Sequence, residues 1–214
     1  MRHVTRLPKP AILEERADRW REDFLSSEKK RPDNSKYAHE QVRDALNSMS
    51  FHKCFYCERK LKSVPKEIDH FIEVAERKDL AYDWDNMYLA CDNCNNKSPN
   101  SSIPVTEALD PCRNSDGDIR EHLTFEDEII RAKNDSELGW RTIQKYKFDT
   151  NQIDLVRLRA LQRFWKLLDQ IRVNTITENR SMSEREKEML SSFKQRDQSF
   201  SLMFDILITN RQIV

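Results

Sequence analysis

The chain has 214 residues, of which 37% are hydrophobic and 35% charged, and only two are glycine. This composition favours long solvated helices over an all-β fold, and the apolar share is large enough for a packed core, which excludes wholesale disorder. The formal net charge is zero, which argues against a generic basic protein that coats nucleic acid.

Charge is distributed unevenly along the chain. Residues 1–64 hold 15 Lys and Arg against 10 Asp and Glu, residues 65–150 hold 11 against 19, and residues 151–214 hold 11 against 8. An acidic middle between basic flanks suits a segment that binds cations. The N-terminal residues lack the apolar core of a secretory signal, and no apolar run approaches the roughly 20 residues of a membrane span. We therefore expect a cytoplasmic protein without membrane contact, in which cysteines stay reduced.

Residues 1–50 predict an N-terminal helical segment. After Pro10, apolar residues recur at spacings of three and four, which is typical of an amphipathic helix (Leu13, Ala17, Trp20, Phe24). Beyond a polar break, the run "KYAHEQVRDALNSM" repeats the pattern and predicts a second helix (Ala38, Val42, Ala45, Met49).

Residues 51–100 hold four of the five cysteines, in two C-x-x-C pairs separated by 33 residues: Cys54 with Cys57, and Cys91 with Cys94. Two such pairs in one short segment predict a zinc ion held by four thiolates, which has no open coordination position and is therefore structural. Buried cysteines without a metal are the less favoured interpretation. Cys112 stands in a loop and is interpreted as a free thiol.

Residues 101–214 predict a linker followed by a C-terminal helical region. Residues 101–118 read as loop, and "HLTFEDEIIRA" as one strand or two. From Asn151 the pattern is helical, with one apolar face (Leu158, Leu161, Trp165, Leu168), and Ser183 with Glu186 predicts a capping box for a last helix that ends near "FDILITN". The three parts are expected to pack as one compact unit.

Between the cysteine pairs, the strand-like run "EIDHFIEV" places Asp69 and His70 among apolar residues. Hydrolysis of a phosphodiester needs a base for water, a cation at the phosphate and stabilisation of the leaving oxygen. An imidazole titrates near neutral pH, and a carboxylate offers hard oxygen to Mg²⁺. Adjacent residues of a regular strand point to opposite faces, so the two share a site only at a strand end or bend.

The segments "IDH" and "YDWDNMYLACDNCNNKS" together resemble the HNH endonuclease motif of the ββα-metal superfamily, in the form braced by a four-cysteine zinc. The resemblance implies an α+β, mostly α protein, with a zinc-braced ββα-metal core embedded in a helical frame. It implies that His70 activates water, that Asp69 and Asn95 hold a divalent ion, Mg²⁺ or Mn²⁺, and that Asn86 orients His70. Many such motifs place a Lys three residues after the Asn, whereas Lys97 lies two residues after Asn95.

Each residue also has a structural interpretation. His70 and Asp69 suit a hydrogen-bonded core pair, Asn86 a turn and Asn95 a helix cap. Their common register with the cysteine pairs favours the catalytic interpretation. Candidates for contact with a nucleic-acid backbone are Lys97, Arg59 and Lys60, with a solvated cluster as the alternative for the last two.

The wider layout resembles the PtuB nucleases of Septu-type anti-phage systems, whose relatives also occur beside retrons. This implies a metal-dependent nuclease that acts in phage defence with an ABC/SMC-like ATPase (PtuA-like), with DNA as the default substrate and host tRNA as the alternative. A catalytically inactive, zinc-braced adaptor is the rival interpretation from another functional class.

Overall fold

A computed structural model describes residues 1–62 and 66–214. Within these two ranges the protein is mostly helical and contains two small antiparallel sheets. The helices are α1 (Ala11–Leu25), α2 (Asn34–Tyr37), α3 (Glu40–Ser50), α4 (Asp92–Asn95), α5 (Asp116–His122), α6 (Glu137–Tyr146), α7 (Asn151–Thr177), α8 (Glu184–Ser191) and α9 (Ser201–Asn210). The strands are β1 (Glu67–His70), β2 (Met87–Ala90), β3 (Leu123–Glu126) and β4 (Ile129–Ala132).

Helix α1 buries the face that its spacing predicts (Leu13, Ala17, Trp20, Phe24). The second predicted helix is interrupted, because residues 38 and 39 are not helical and separate α2 from α3. There the His39 imidazole accepts a hydrogen bond from the Gln41 backbone amide and so caps the start of α3. A local cap therefore overrides a periodicity that would otherwise continue.

The ββα unit consists of β1, β2 and α4. Strands β1 and β2 pair antiparallel, with Asp69 opposite Tyr88 and His70 opposite Met87, and α4 follows β2 directly. All four residues of β2 are buried, so this strand runs through the core. His70 is the last residue of β1, which is the strand end that the catalytic hypothesis requires.

The C-terminal half contains a second antiparallel pair, β3 with β4, in the segment predicted as one strand or two, and the long helix α7. Ser183 and Glu186 form the predicted capping box at α8, but the predicted last helix is wrong in extent. Helix α8 ends at residue 191, and a short 3-10 turn follows. Helix α9 begins at residue 201, after Phe200 in a left-handed conformation. Helix α6, which contributes Lys145 and Tyr146 to the interior, has no counterpart among the predicted elements.

One apolar cluster joins the N-terminal helices, the ββα unit and α6, and a second lies between α7, α8 and α9. The first cluster includes residues on both sides of residue 100, together with Leu202 and Ile206 of α9. The division of the chain at residues 50 and 100 stays a prediction. Among the helices described, none is both long enough and apolar enough to cross a membrane.

Candidate active site and metal centre

Four cysteine side chains meet where the loop before β1 approaches α4. The Sγ atoms of Cys54, Cys57, Cys91 and Cys94 all lie within 4.8 Å of one another, and each of the four residues is buried. Tetrahedral zinc with Zn–S bonds of about 2.3 Å sets sulfurs about 3.8 Å apart. The Cys57 and Cys91 sulfurs are 3.7 Å apart, so the spacing fits one zinc ion.

Backbone hydrogen bonds hold the two cysteine pairs in place. The first pair lies in a tight loop, residues 54–59, which we call the cysteine loop. In it the amide of Cys54 donates to the Arg59 carbonyl and the amide of Glu58 to the Cys54 carbonyl. The amide of Phe55 donates to the Leu89 carbonyl at 2.9 Å, which attaches this loop to β2. The second pair lies at α4, where Cys91 is the residue before the helix.

Electrostatics also favour a cation among these sulfurs. Burial raises the pKa of the Cys54 and Cys94 thiols, whereas hydrogen bonds from the other three thiols lower the pKa of Cys91. Ionising all four sulfurs in this enclosed space therefore needs a bound positive charge. Cys112, the fifth cysteine, is outside the cluster and is partly exposed. Burial raises its pKa to about 11, which keeps it a neutral thiol at neutral pH.

His70 is fixed at the end of β1 by a carbonyl group. Its Nε2 lies 2.8 Å from the carbonyl oxygen of Ala81, and since a carbonyl only accepts, Nε2 carries the proton. Nδ1 is therefore the basic nitrogen in the neutral ring. Tyr37 lies edge-on to the ring, with centroids 5.0 Å apart. Burial lowers the pKa of His70, and the Ala81 contact offsets part of this effect.

Asn86 holds the segment that faces His70. This residue is 5% exposed, and its Oδ1 accepts from the Ile72 amide at 2.7 Å. Its Nδ2 donates to the Ile72 and Leu80 carbonyls at 3.0 and 3.3 Å. Leu80 precedes Ala81, so Asn86 joins the chain after β1 to the turn that supplies the carbonyl bonded to His70. The side chain thus acts on the segments around the imidazole, by contact with their backbone.

Asp69 points into the protein, where Lys97 and Tyr56 bind its carboxylate. Lys97 Nζ donates to both carboxylate oxygens, at 2.5 Å to Oδ1, and Tyr56 Oη donates to Oδ2 at 2.6 Å. The side chains of Lys97 and Asp69 are 3% and 7% exposed. Lys97, a candidate for contact with nucleic acid, thus lies in a buried ion pair.

Asn95 is the last residue of α4, and its Nδ2 donates to Glu67 Oε2. The two residues predicted to share a divalent ion, Asp69 and Asn95, therefore have different partners. Among the residues that the structure describes, no group of three or more His, Cys, Asp and Glu side chains gathers around Asp69. As they stand, these residues do not form an open site for a divalent ion.

Comparison with known proteins identifies the segment that carries this geometry. Residues 54–101 match the family described as HNH endonuclease. Residues 54–101 are an HNH endonuclease domain.

The chain is also similar to two curated proteins, each named Septu protein PtuB. The protein from Bacillus mycoides (strain KBAB4) is 28% identical over a match that covers 58% of this chain and 52% of the relative. The protein from Bacillus thuringiensis is 30% identical, over 45% of this chain and 37% of the relative. The chain therefore spans about half or less of the length of the curated relatives it matches.

Several side chains around the HNH domain are absent from the predicted site. Tyr37, Tyr56 and Lys145 come from α2, the cysteine loop and α6, at large sequence distances from His70. Lys145 is fully buried, and its Nζ donates to the Ser98 carbonyl at 2.6 Å and lies 3.5 Å from Glu73. Glu73 is thus half-buried and paired with Lys145. No short-range pattern signals these contacts.

A basic groove of about 190 Å³ lies between the cysteine loop of the HNH domain and α7. Four cationic residues line it together with Val156, Ser199 and Phe200: Arg59, Lys60, Lys62 and Arg163. Among the described residues that line it, none is acidic. The nearest anion to Arg59 is Asp92, at 3.7 Å. Burial lowers the pKa of Lys60, and Lys53 and Lys62 lower it further, whereas Asp197 raises it.

Proposed function

We propose that this chain is a metal-dependent HNH endonuclease that hydrolyses phosphodiester bonds in nucleic acid, with DNA as its substrate. The observation that carries the proposal is His70, at the end of β1 in the HNH domain, with its Nε2 proton committed to the Ala81 carbonyl. This arrangement leaves Nδ1 to accept a proton from water. The Ala81 contact stabilises the imidazolium that results.

The remaining site residues act on position and stability. Asn86 joins the backbone just after β1 to the turn that carries Ala81, through its bonds to Ile72 and Leu80. The four cysteines would hold Zn²⁺, which ties the loop before β1 to the helix after β2 and so keeps the short hairpin folded. Cleavage is expected to need Mg²⁺ or Mn²⁺ in addition, with Asp69 and Asn95 as the residues assigned to that ion.

The basic groove supports a role in holding the substrate. Arg59 and Lys60, with Lys62 and Arg163 beside them, line the groove with positive charge that suits the phosphate backbone. Because the net charge of the chain is zero, such local charge gives modest affinity and leaves recruitment to a partner.

The partner and the biological role rest on the similarity to Septu protein PtuB. We infer an effector of anti-phage defence that works with an ABC/SMC-like ATPase of the PtuA type. A site of four reduced thiols supports a cytoplasmic location.

The experiment incubates the zinc-loaded chain with plasmid DNA and, in parallel, with total tRNA, in Mg²⁺ or Mn²⁺, with and without the ATPase. We expect DNA cleavage that His70→Ala reduces by about 10²- to 10⁴-fold. Cleavage of tRNA but not of DNA would mean that the chain is a nuclease whose substrate is RNA. If the wild type cuts neither polymer under any of these conditions, the adaptor interpretation is correct.

A further inference from the structure

The ammonium of Lys97 lies where a cation bound to Asp69 would lie. It donates to both oxygens of the Asp69 carboxylate and to the carbonyl oxygen of His70, the latter at 2.7 Å. A lysine ammonium has three donors, and here all three find oxygen. The oxygen atoms of Asp69 and His70 that could coordinate a divalent ion are thus already bound to the Lys97 ammonium.

The Asp69 carboxylate also accepts from a second side chain. Besides the lysine, the Tyr56 hydroxyl donates to Oδ2 at 2.6 Å, inside a stack of tyrosine rings in which Tyr56 and Tyr146 lie 4.4 Å apart. The pocket is sealed from solvent, because Asp69 and Lys97 are both buried. A buried carboxylate with a cation and a hydroxyl donor needs no further ligand.

The backbone next to Lys97 is held more firmly than its side chain can be. The Ser98 amide donates to the Lys145 carbonyl at 2.8 Å, and Lys145 Nζ donates back to the Ser98 carbonyl at 2.6 Å. The flexible four-carbon stem of Lys97 is therefore the part that can move while α4 and α6 stay in place.

We propose that Lys97 is an internal counter-ion that closes Asp69 to divalent cations, so that the ammonium and a divalent ion are alternative occupants of one position. The proposal rests on the proposed function, since it concerns the ion assigned to Asp69 there. The resting protein is then a nuclease domain with its cation position filled by its own chain. Loading with a divalent ion requires the lysine side chain to leave.

The test measures Mn²⁺ binding to the zinc-loaded chain without nucleic acid, by the loss of the electron paramagnetic resonance signal of free Mn²⁺. Lys97→Met is expected to bind Mn²⁺ at least tenfold more tightly than the wild type. The matched control is Lys145→Met, which removes a neighbouring buried cation that does not contact Asp69, and its gain should be smaller by tenfold or more. Adding Asp69→Asn to Lys97→Met should abolish the gain.

Because Lys97→Met leaves Asp69 without its counter-ion, zinc content and the unfolding temperature are measured on each variant. Lys97→Gln, which keeps a hydrogen-bond donor, is the second variant if Lys97→Met does not fold. Unchanged or weaker Mn²⁺ binding in the folded variant overturns the proposal, as does an equal gain in Lys145→Met. Tighter Mn²⁺ binding in a chain that cuts no nucleic acid would uphold the counter-ion and overturn the proposed function alone.

Discussion

His70 and Ala81 are joined by a hydrogen bond of 2.8 Å from Nε2 to the carbonyl oxygen, across a turn of ten intervening residues. This bond settles the tautomer of the imidazole and its orientation together. Asn86 holds this turn, because its Nδ2 donates to the carbonyl of Leu80, the residue before Ala81. The basic nitrogen of the site is therefore set by backbone geometry.

The pH dependence of cleavage follows from the burial of His70. Burial lowers its pKa from the ordinary value of 6.5, so the neutral base persists below that pH. We expect a rate plateau through neutral pH and an acid limb with its midpoint below 6.5, because protonation fills Nδ1. Since the folded protein binds this proton less readily than the unfolded chain, the stability contribution is full above about pH 6.5 and falls as the pH drops towards the folded pKa.

The measurement is kcat/KM against pH, with thermal unfolding followed over the same range. His52→Asn, a change at an exposed histidine, is the control and should leave the profile in place. An acid limb centred above pH 6.5 would contradict the assignment.

Asn86→Ala is expected to lower both stability and activity. The variant leaves the Ile72 amide and carbonyl without their partner in a buried region, which costs on the order of 1–3 kcal/mol. The chain just after β1 then loses its link to the turn that holds the His70 imidazole, so cleavage should fall by more than the folded fraction does. Urea unfolding and single-turnover cleavage measure the two effects. Asn174→Ala, on the exposed face of α7, should change neither.

Zinc content separates the cysteine cluster from the remaining thiol. We expect one zinc ion per chain, and Cys57→Ser should lose most of it and lower the unfolding temperature. Cys112→Ser should retain the full content, because Cys112 is outside the cluster. Elemental analysis and circular dichroism provide the readouts. Equal loss of zinc from both variants would show that the ion is not held by the four clustered sulfurs.

The basic groove predicts that reversing the charge of two residues on α7 affects nucleic-acid binding unequally. Arg163 lines the groove, whereas Lys166, three residues along α7, does not. Arg163→Glu should weaken nucleic-acid binding and reduce the slope of log affinity against log salt by about 1, as expected when a phosphate contact is lost. Lys166→Glu has the same change in net charge and should have a smaller effect. Fluorescence anisotropy with a labelled duplex at several salt concentrations distinguishes them.

Local patterns in the sequence predict those parts of the fold that local interactions determine. The spacing of Leu13, Ala17 and Trp20 predicts the buried face of α1, and the capping box at Ser183 marks the start of α8. The C-x-x-C spacing predicts the cysteine cluster, because zinc fixes how far apart its ligands lie.

The surroundings of Asp69 are beyond such patterns. Tyr56 and Lys97 lie 13 and 28 residues away from it, and Lys145, which holds the backbone beside Lys97, lies farther still. Only the folded chain shows that the carboxylate faces inward to a lysine. The sequence therefore predicts the type of the site residues, while their pairing depends on tertiary packing.

Glu58, the residue after the first cysteine pair, has partners that lie far along the chain. Its Oε1 accepts from the Ser201 hydroxyl at 2.6 Å and from Lys53 Nζ at 3.1 Å, and its backbone carbonyl accepts from the Phe200 amide. The loop that presents the sulfurs and the first turn of α9 thus share one buried carboxylate. In hydrogen–deuterium exchange, the amides of the cysteine loop and of the first turn of α9 should therefore open in a single cooperative step. A partner that displaces α9 would then also displace the cysteine loop.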